Sequence, residues 1–115
     1  MLFVFEIHIR PGCTAEQYAQ AWLRASRIIQ QAPGARGTRL HRGIGDPGVL
    51  LAIAHWDSKA ARDTMEARQP EAVRRIIAAQ ADCVDVRVVG EFAEAEWAVD
   101  PPAGADPPSA SARCP

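Results

Sequence analysis

The chain has no long apolar run, no surplus of charge and no recognisable cysteine framework, and each absence removes a class of protein. No stretch approaches the roughly 20 apolar residues that a membrane span requires. The formal net charge is -1 and the arginines are scattered, so nothing favours nucleic acid or an anionic membrane as a partner. The opening segment MLFVFEIHIRPG has neither a basic start nor a cleavage site, and reads as a first strand rather than a secretion signal. The cysteines are Cys13, Cys83 and Cys114. Their odd number and their spacings match no metal pattern, so no disulfide framework is expected and a reducing cytoplasm is the simplest location. Cys13 has two readings: a small loop residue, or a thiol beside a helix start, where a thiolate would be stabilised.

A length of 115 residues, 48% of them apolar, suits one domain with a modest core. Residues 100–115, DPPAGADPPSASARCP, contain no large apolar side chain. Such a segment buries too little surface to offset its ordering entropy. The expected organisation is a folded domain over residues 1–99 and a flexible Pro/Ala/Ser-rich tail over 100–115.

Within the domain the apolar periodicity changes several times. LFVFEIHI (2–9) alternates, with Phe3, Phe5, Ile7 and Ile9 on one face and Leu2, Val4, Glu6 and His8 on the other; this is a strand. Thr14, with Gln17 three residues later, opens a helix through a capping box. Tyr18, Ala21, Trp22, Ala25, Ile28 and Ile29 form its apolar stripe, and Pro33-Gly34 ends it. Residues 36–44 read as a strand nearer an edge, followed by the turn GDPG. Val49 to Trp56 is a strand apolar on both faces, so both faces must be covered. Ser58 or Asp57 caps a second helix that breaks at Gln69-Pro70 and resumes from Pro70 to Gln80. A last strand begins at Val84 and extends through Phe92 toward Trp97.

The order β-α-β-β-α-β is the split βαβ, or ferredoxin-like, arrangement of an α+β protein. Its first and third strands are central, and here they are the most apolar. Right-handed crossovers place both helices on one side of the sheet. The other side keeps an apolar row without cover, so the chain is expected to form a homodimer packed sheet against sheet.

Several side chains carry chemical potential. Ala52 and Ala54 share a strand face with Trp56. Their small size leaves either a cavity walled by the indole or a close helix contact. His8 offers an imidazole, the side chain most often used in proton transfer at physiological pH, and Glu6 lies two residues away on the same face; the pair suits a general base, a polar patch at a dimer rim or a satisfied buried histidine. Tyr18 and Trp22, one helical turn apart, belong to the core or line a pocket facing Trp56. Arg74 or Arg75 is positioned to reach a ligand's anionic oxygen or to face solvent. The three histidines have no ligand spacing, so no metal site is expected.

The segments IHIRPG, APGARGTRLHR, AHWDSKAA and RQPEAVRR, in this order of elements, resemble the antibiotic biosynthesis monooxygenase family of the dimeric α+β barrel superfamily. The resemblance covers residues 2–97, and WDSKA is its most specific part. It implies cofactor-independent oxygenation of a small aromatic or quinol-type substrate by a homodimer, with Trp56 as cavity wall; the reading of the residues themselves adds His8 as base, and Glu6, Tyr18, Trp22, Ala52 and Arg74 toward the substrate. Two other branches are implied: a non-catalytic small-ligand-binding or stress-associated dimer, and a haem-binding or haem-degrading protein. The chain departs from the polyketide-oxidising pattern at two places, where Ala52 and Arg62 stand for Asn and Tyr. Residues 57–80 lack the histidine of the haem-degrading pattern.

Overall fold

The computed structural model describes residues 1–104. Cys114 and most of the expected tail lie outside the described residues. The elements follow in the order β1 (Leu2–Ile9), α1 (Ala15–Ile29), β2 (Ala35–Arg42), β3 (Val49–Trp56), α2 (Lys59–Ala67), α3 (Glu71–Ala79) and β4 (Val84–Phe92). The four strands form one sheet in the order β2-β3-β1-β4, with every neighbouring pair antiparallel. This is the α+β ferredoxin-like arrangement, with the second helix in two pieces. Among the described residues, no helix is long and apolar enough to cross a membrane.

The helix boundaries follow from local chemistry. Thr14 and Gln17 form the expected capping box: the Gln17 N–H donates to Thr14 Oγ1 and the Thr14 N–H to Gln17 Oε1, both at 3.1 Å. Ser58, rather than Asp57, caps α2 by accepting from the Ala61 N–H at 3.1 Å. Pro70 stands just before α3, and its carbonyl accepts from the N–H groups of Val73 and Arg74.

Strand alternation divides the sheet into two unlike faces. Ile7, Leu50, Ala52 and Val84 point to the helix side and pack with Ala15 of α1 as the core. Leu2, Val4, Glu6 and His8 of β1 therefore point away, beside Leu51, Ile53 and His55 of β3. A register shift in the β1–β4 ladder between Val4 and Phe5 leaves Val89 as an extra residue. Glu91 thereby comes opposite Phe3 and reaches Lys59 Nζ at 3.0 Å.

Two expectations are corrected. Cys13 and Cys83 form a disulfide, with Cα atoms 5.6 Å apart. The β1–β4 pairing creates it: Ile9 pairs with Val84, and the Arg10 N–H donates to the Cys83 carbonyl at 2.8 Å, which brings the two loops together. The reading of Cys13 as a lone loop thiol is overturned, and with it the reasoning that led to a reducing cytoplasm. The last strand stops at Phe92 and does not continue toward Trp97, which is 86% exposed. Glu94 draws the chain back: its carboxylate pairs with the Met1 amine and accepts from His55 Nε2 at 2.9 Å. The hydrogen bonds from the Met1 amine and from His55 hold the Glu94 carboxyl below its ordinary pKa, the amine's being the larger influence.

Candidate functional site

A cavity of about 390 Å³ lies between the sheet and the helices. Its floor is the helix side of the sheet: Phe3 and Phe5 of β1, Ala54 and Trp56 of β3, and Val84, Val86 and Val88 of β4. Helix α1 supplies Tyr18, Trp22, Ser26 and Ile29 along one wall. The broken second helix closes the far end, with Arg62, Met65, Glu66 and Gln69 from α2 and its terminus, and Ile76, Ile77 and Gln80 from α3 and its terminus.

Each strand contributes alternate residues, so the aromatic floor follows from the period-two pattern. The Phe3 and Phe5 rings lie 5.6 Å apart at an interplanar angle of 41°, a tilted contact of the kind aromatic quadrupoles favour. Trp56, only 2% exposed, ends β3 with its backbone joined to Met1, each N–H donating to the other's carbonyl at 2.9 Å. Val86 and Val88 on the outer strand remain more than half exposed, so the cavity opens along that edge.

The polar groups in this wall are few. Burial pushes the Tyr18 hydroxyl up to about 12, so it stays protonated at neutral pH. Gln30 Oε1 is occupied by the Gly37 N–H at 2.7 Å, and Thr38 Oγ1 donates to the Ile53 carbonyl. Arg62 is the one cation among the described lining residues. Its guanidinium carbon sits 3.9 Å from the centroid of the Phe3 ring, a cation–π contact. Its side chain is 19% exposed, and the nearest carboxylates, Glu66 at 3.7 Å and Asp63 at 4.0 Å, are beyond hydrogen-bond reach.

The structure gathers some of the residues singled out from the sequence and separates others. Trp56, Tyr18 and Trp22 share the cavity. Ala52 does not line it: the side chain is fully buried in the core beside Ile7, and Ala54 takes the wall position instead. His8 and Glu6 are paired, His8 Nε2 donating to Glu6 Oε1 at 2.8 Å, but on the opposite face of the sheet. Alternation along β1 forbids His8 from sharing a face with Phe5 and Ile7, so it cannot be the base of the Trp56 cavity. Arg74 is exposed on α3 and is absent from the lining, because Val73 and Ile76 take the inward positions of that helix. Sequence reasoning missed Arg62 as a wall residue. Its signals were the i, i+3 spacing with Met65 on the inward side of α2 and its place where the polyketide-oxidising pattern has a Tyr. Among the described residues no three His, Cys, Asp or Glu side chains converge as metal ligands would.

A one-sided helical layer on an antiparallel sheet, enclosing an apolar cavity with an aromatic floor, defines a small-molecule pocket of the ferredoxin-like class. The model of the antibiotic biosynthesis monooxygenase family matches residues 1–79. The chain belongs to that family. Its fold is shared by SnoaB, a cofactor-independent oxygenase from Streptomyces nogalater. A point mutant of that protein aligns at 18% identity and a TM-score of 0.71, over 82% of this chain and 92% of the other. A second SnoaB structure aligns at 14% identity and a TM-score of 0.62, over 80% and 92%. An antibiotic biosynthesis monooxygenase of 20% identity aligns at a TM-score of 0.58, over 81% of this chain and the whole of the other. Comparison with curated protein sequences gives no match.

Proposed function

We propose that the protein is a cofactor-independent monooxygenase acting on a small aromatic, phenol- or quinol-type substrate in the cavity beside Trp56. The observation that carries this reading is the mainly apolar space floored by Phe3, Phe5 and Trp56, since a planar ring is held by such faces. Family membership and the fold shared with SnoaB support it. In the reaction, an ionised phenol gives an electron to dioxygen and the radical pair combines at a ring carbon. One oxygen atom becomes the second carbonyl. The other leaves as water, taking the hydrogen of that carbon and the phenolic proton. Trp56, Trp22 and Tyr18 are the substrate-facing residues. His8 and Glu6 lie on the open face of the sheet, which in this reading is where a second copy of the chain packs.

The test is oxygen uptake on a panel of phenols and hydroquinones, with and without Trp56→Phe. Uptake with product quinone, diminished in the variant and retained in His8→Ala, is the expected result. A second reading, a dimer that binds small aromatics without turnover, draws on the absence of histidine from the described cavity wall. It predicts thermal stabilisation, about 2.7 kcal/mol at a ligand concentration 100 times Kd, with no uptake. Light scattering tests the dimer; a stable monomer at micromolar concentration would remove the sheet-to-sheet packing.

A further inference from the structure

We infer that Arg62 is the anion-holding residue of the cavity, and that the ligand is an aromatic compound carrying an ionised oxygen, a phenolate or a carboxylate. This rests on the cavity being the substrate site, and adds the chemical class of what enters it. The rest of the wall is apolar, neutral-polar (Ser26, Gln69, Gln80) or acidic (Glu66), and none of these attracts an anion as a cation does. Gln30 and Thr38 already hold backbone partners, and Tyr18 is a neutral hydroxyl. Arg62 brings the one positive charge to the described lining, on a side chain mostly shielded from water; the one negative charge there is Glu66.

Two carboxylates stand within ion-pair distance, but neither takes up the N–H donors. The guanidinium carbon lies 3.9 Å over the centroid of the Phe3 ring, which anchors the charged end of the side chain at the cavity floor. Its N–H groups point from the edge, and neither Glu66 nor Asp63 comes within hydrogen-bond distance. Glu66 is half exposed and has water as an alternative partner. An anionic oxygen on a ring stacked over the aromatic floor meets the in-plane donors of Arg62, where a charge-assisted, two-pronged hydrogen bond is strongest. This also accounts for a cavity without a histidine: a cation beside the phenol favours its ionised form, so the substrate loses its proton to solvent before or during binding rather than to a wall residue.

Isothermal calorimetry with two matched probes tests the inference: 1-hydroxy-2-naphthoate and its neutral amide, 1-hydroxy-2-naphthamide. The wild-type protein is expected to bind the acid at least roughly tenfold more tightly, the size of a hydrogen bond to a charged group. Arg62→Gln is expected to abolish that preference while leaving the amide's affinity within about twofold. Arg62→Lys retains part of it, and Arg75→Gln, on the exposed side of α3, changes neither. Glu66→Gln, which removes a competing carboxylate without touching the cation, raises affinity for the acid and serves where Arg62→Gln folds poorly by circular dichroism. Equal binding of both probes to the wild type overturns the role of Arg62 and leaves the cavity reading intact. So does an equal loss of both probes in Arg62→Gln. If neither probe binds, or if Trp22→Ala and Trp56→Phe leave binding untouched, the cavity is not the site, and the proposed function fails together with the inference.

Discussion

Breaking the Cys13–Cys83 cross-link should remove a large share of the protein's stability. The two cysteines are 70 residues apart, so the bond closes a loop that includes most of the folded chain. In the chain-entropy treatment a loop of that length stabilises by about 4 kcal/mol at 25 °C, by restricting the unfolded ensemble. A domain of roughly 100 residues has a total stability of about 5–15 kcal/mol, so the loss ranges from a quarter to most of it. The assay is urea unfolding followed by tryptophan fluorescence, in a Cys114→Ser background that prevents exchange, with and without dithiothreitol. The expected result is a fall in the transition midpoint on reduction, matched by Cys13→Ala/Cys83→Ala, which should be insensitive to the reductant. The non-reducing digest should contain one peptide joining Cys13 to Cys83. If reduction leaves the stability within about 0.5 kcal/mol of the oxidised protein, or the joined peptide is absent, the loop-closure reasoning is refuted.

Tyr18 is the only tyrosine in the chain, so absorbance at 295 nm reports it alone. Its ionisation should be centred near 12 in the folded protein, against 10.0 in the unfolded chain. Because the folded state holds this proton more tightly, the associated stability is complete below pH 10 and is lost as the pH rises through 12; a midpoint near 10 in the native protein would mean that the hydroxyl is not buried. Gly34→Ala should destabilise by about 2–4 kcal/mol in chemical denaturation. Its φ of +88° is left-handed, and an added Cβ would lie 2.5 Å from that of Ala61. Asp85→Asn should destabilise at neutral pH and not in strong acid. The Arg10 guanidinium, 2.6 Å away, holds the Asp85 carboxyl below its ordinary 3.8, so the contribution is present above that value and disappears as the pH falls through the lowered one. Urea titrations at pH 7 and pH 2 giving the same difference would contradict it.

Much of the fold was legible because local signals agreed with one another. The alternation of Phe3, Phe5, Ile7 and Ile9, the Thr14–Gln17 box and the break at Pro70 each name an element boundary without reference to anything distant. What was not legible depends on pairing across the sheet. The Cys13–Cys83 bond exists because Ile9 meets Val84, and a spacing of 70 residues carries no trace of that. The end of β4 at Phe92 is set by Glu94 turning toward Met1 and His55, again a contact between remote segments. For the site, the sequence separated the two faces of β1 correctly but could not say which of them the helices cover. His8 was therefore assigned to the wrong side of the sheet from Trp56. Arg62 stood out in the sequence only as a departure from the polyketide-oxidising pattern, because its contact with Phe3 joins segments 59 residues apart.

The split of the second helix at Pro70 has a geometric consequence. An unbroken rod from Lys59 to Ala79 would run about 30 Å, longer than the eight-residue strands beneath it, which span roughly 26 Å. It would present a single flat flank to the sheet and overhang its rim. Two short rods meeting at a proline make a corner instead. The first leg brings a cation and a thioether over the aromatic floor, and the second brings isoleucines against α1. Replacing that joint by a continuous helix would open the corner and leave Arg62 directed at solvent.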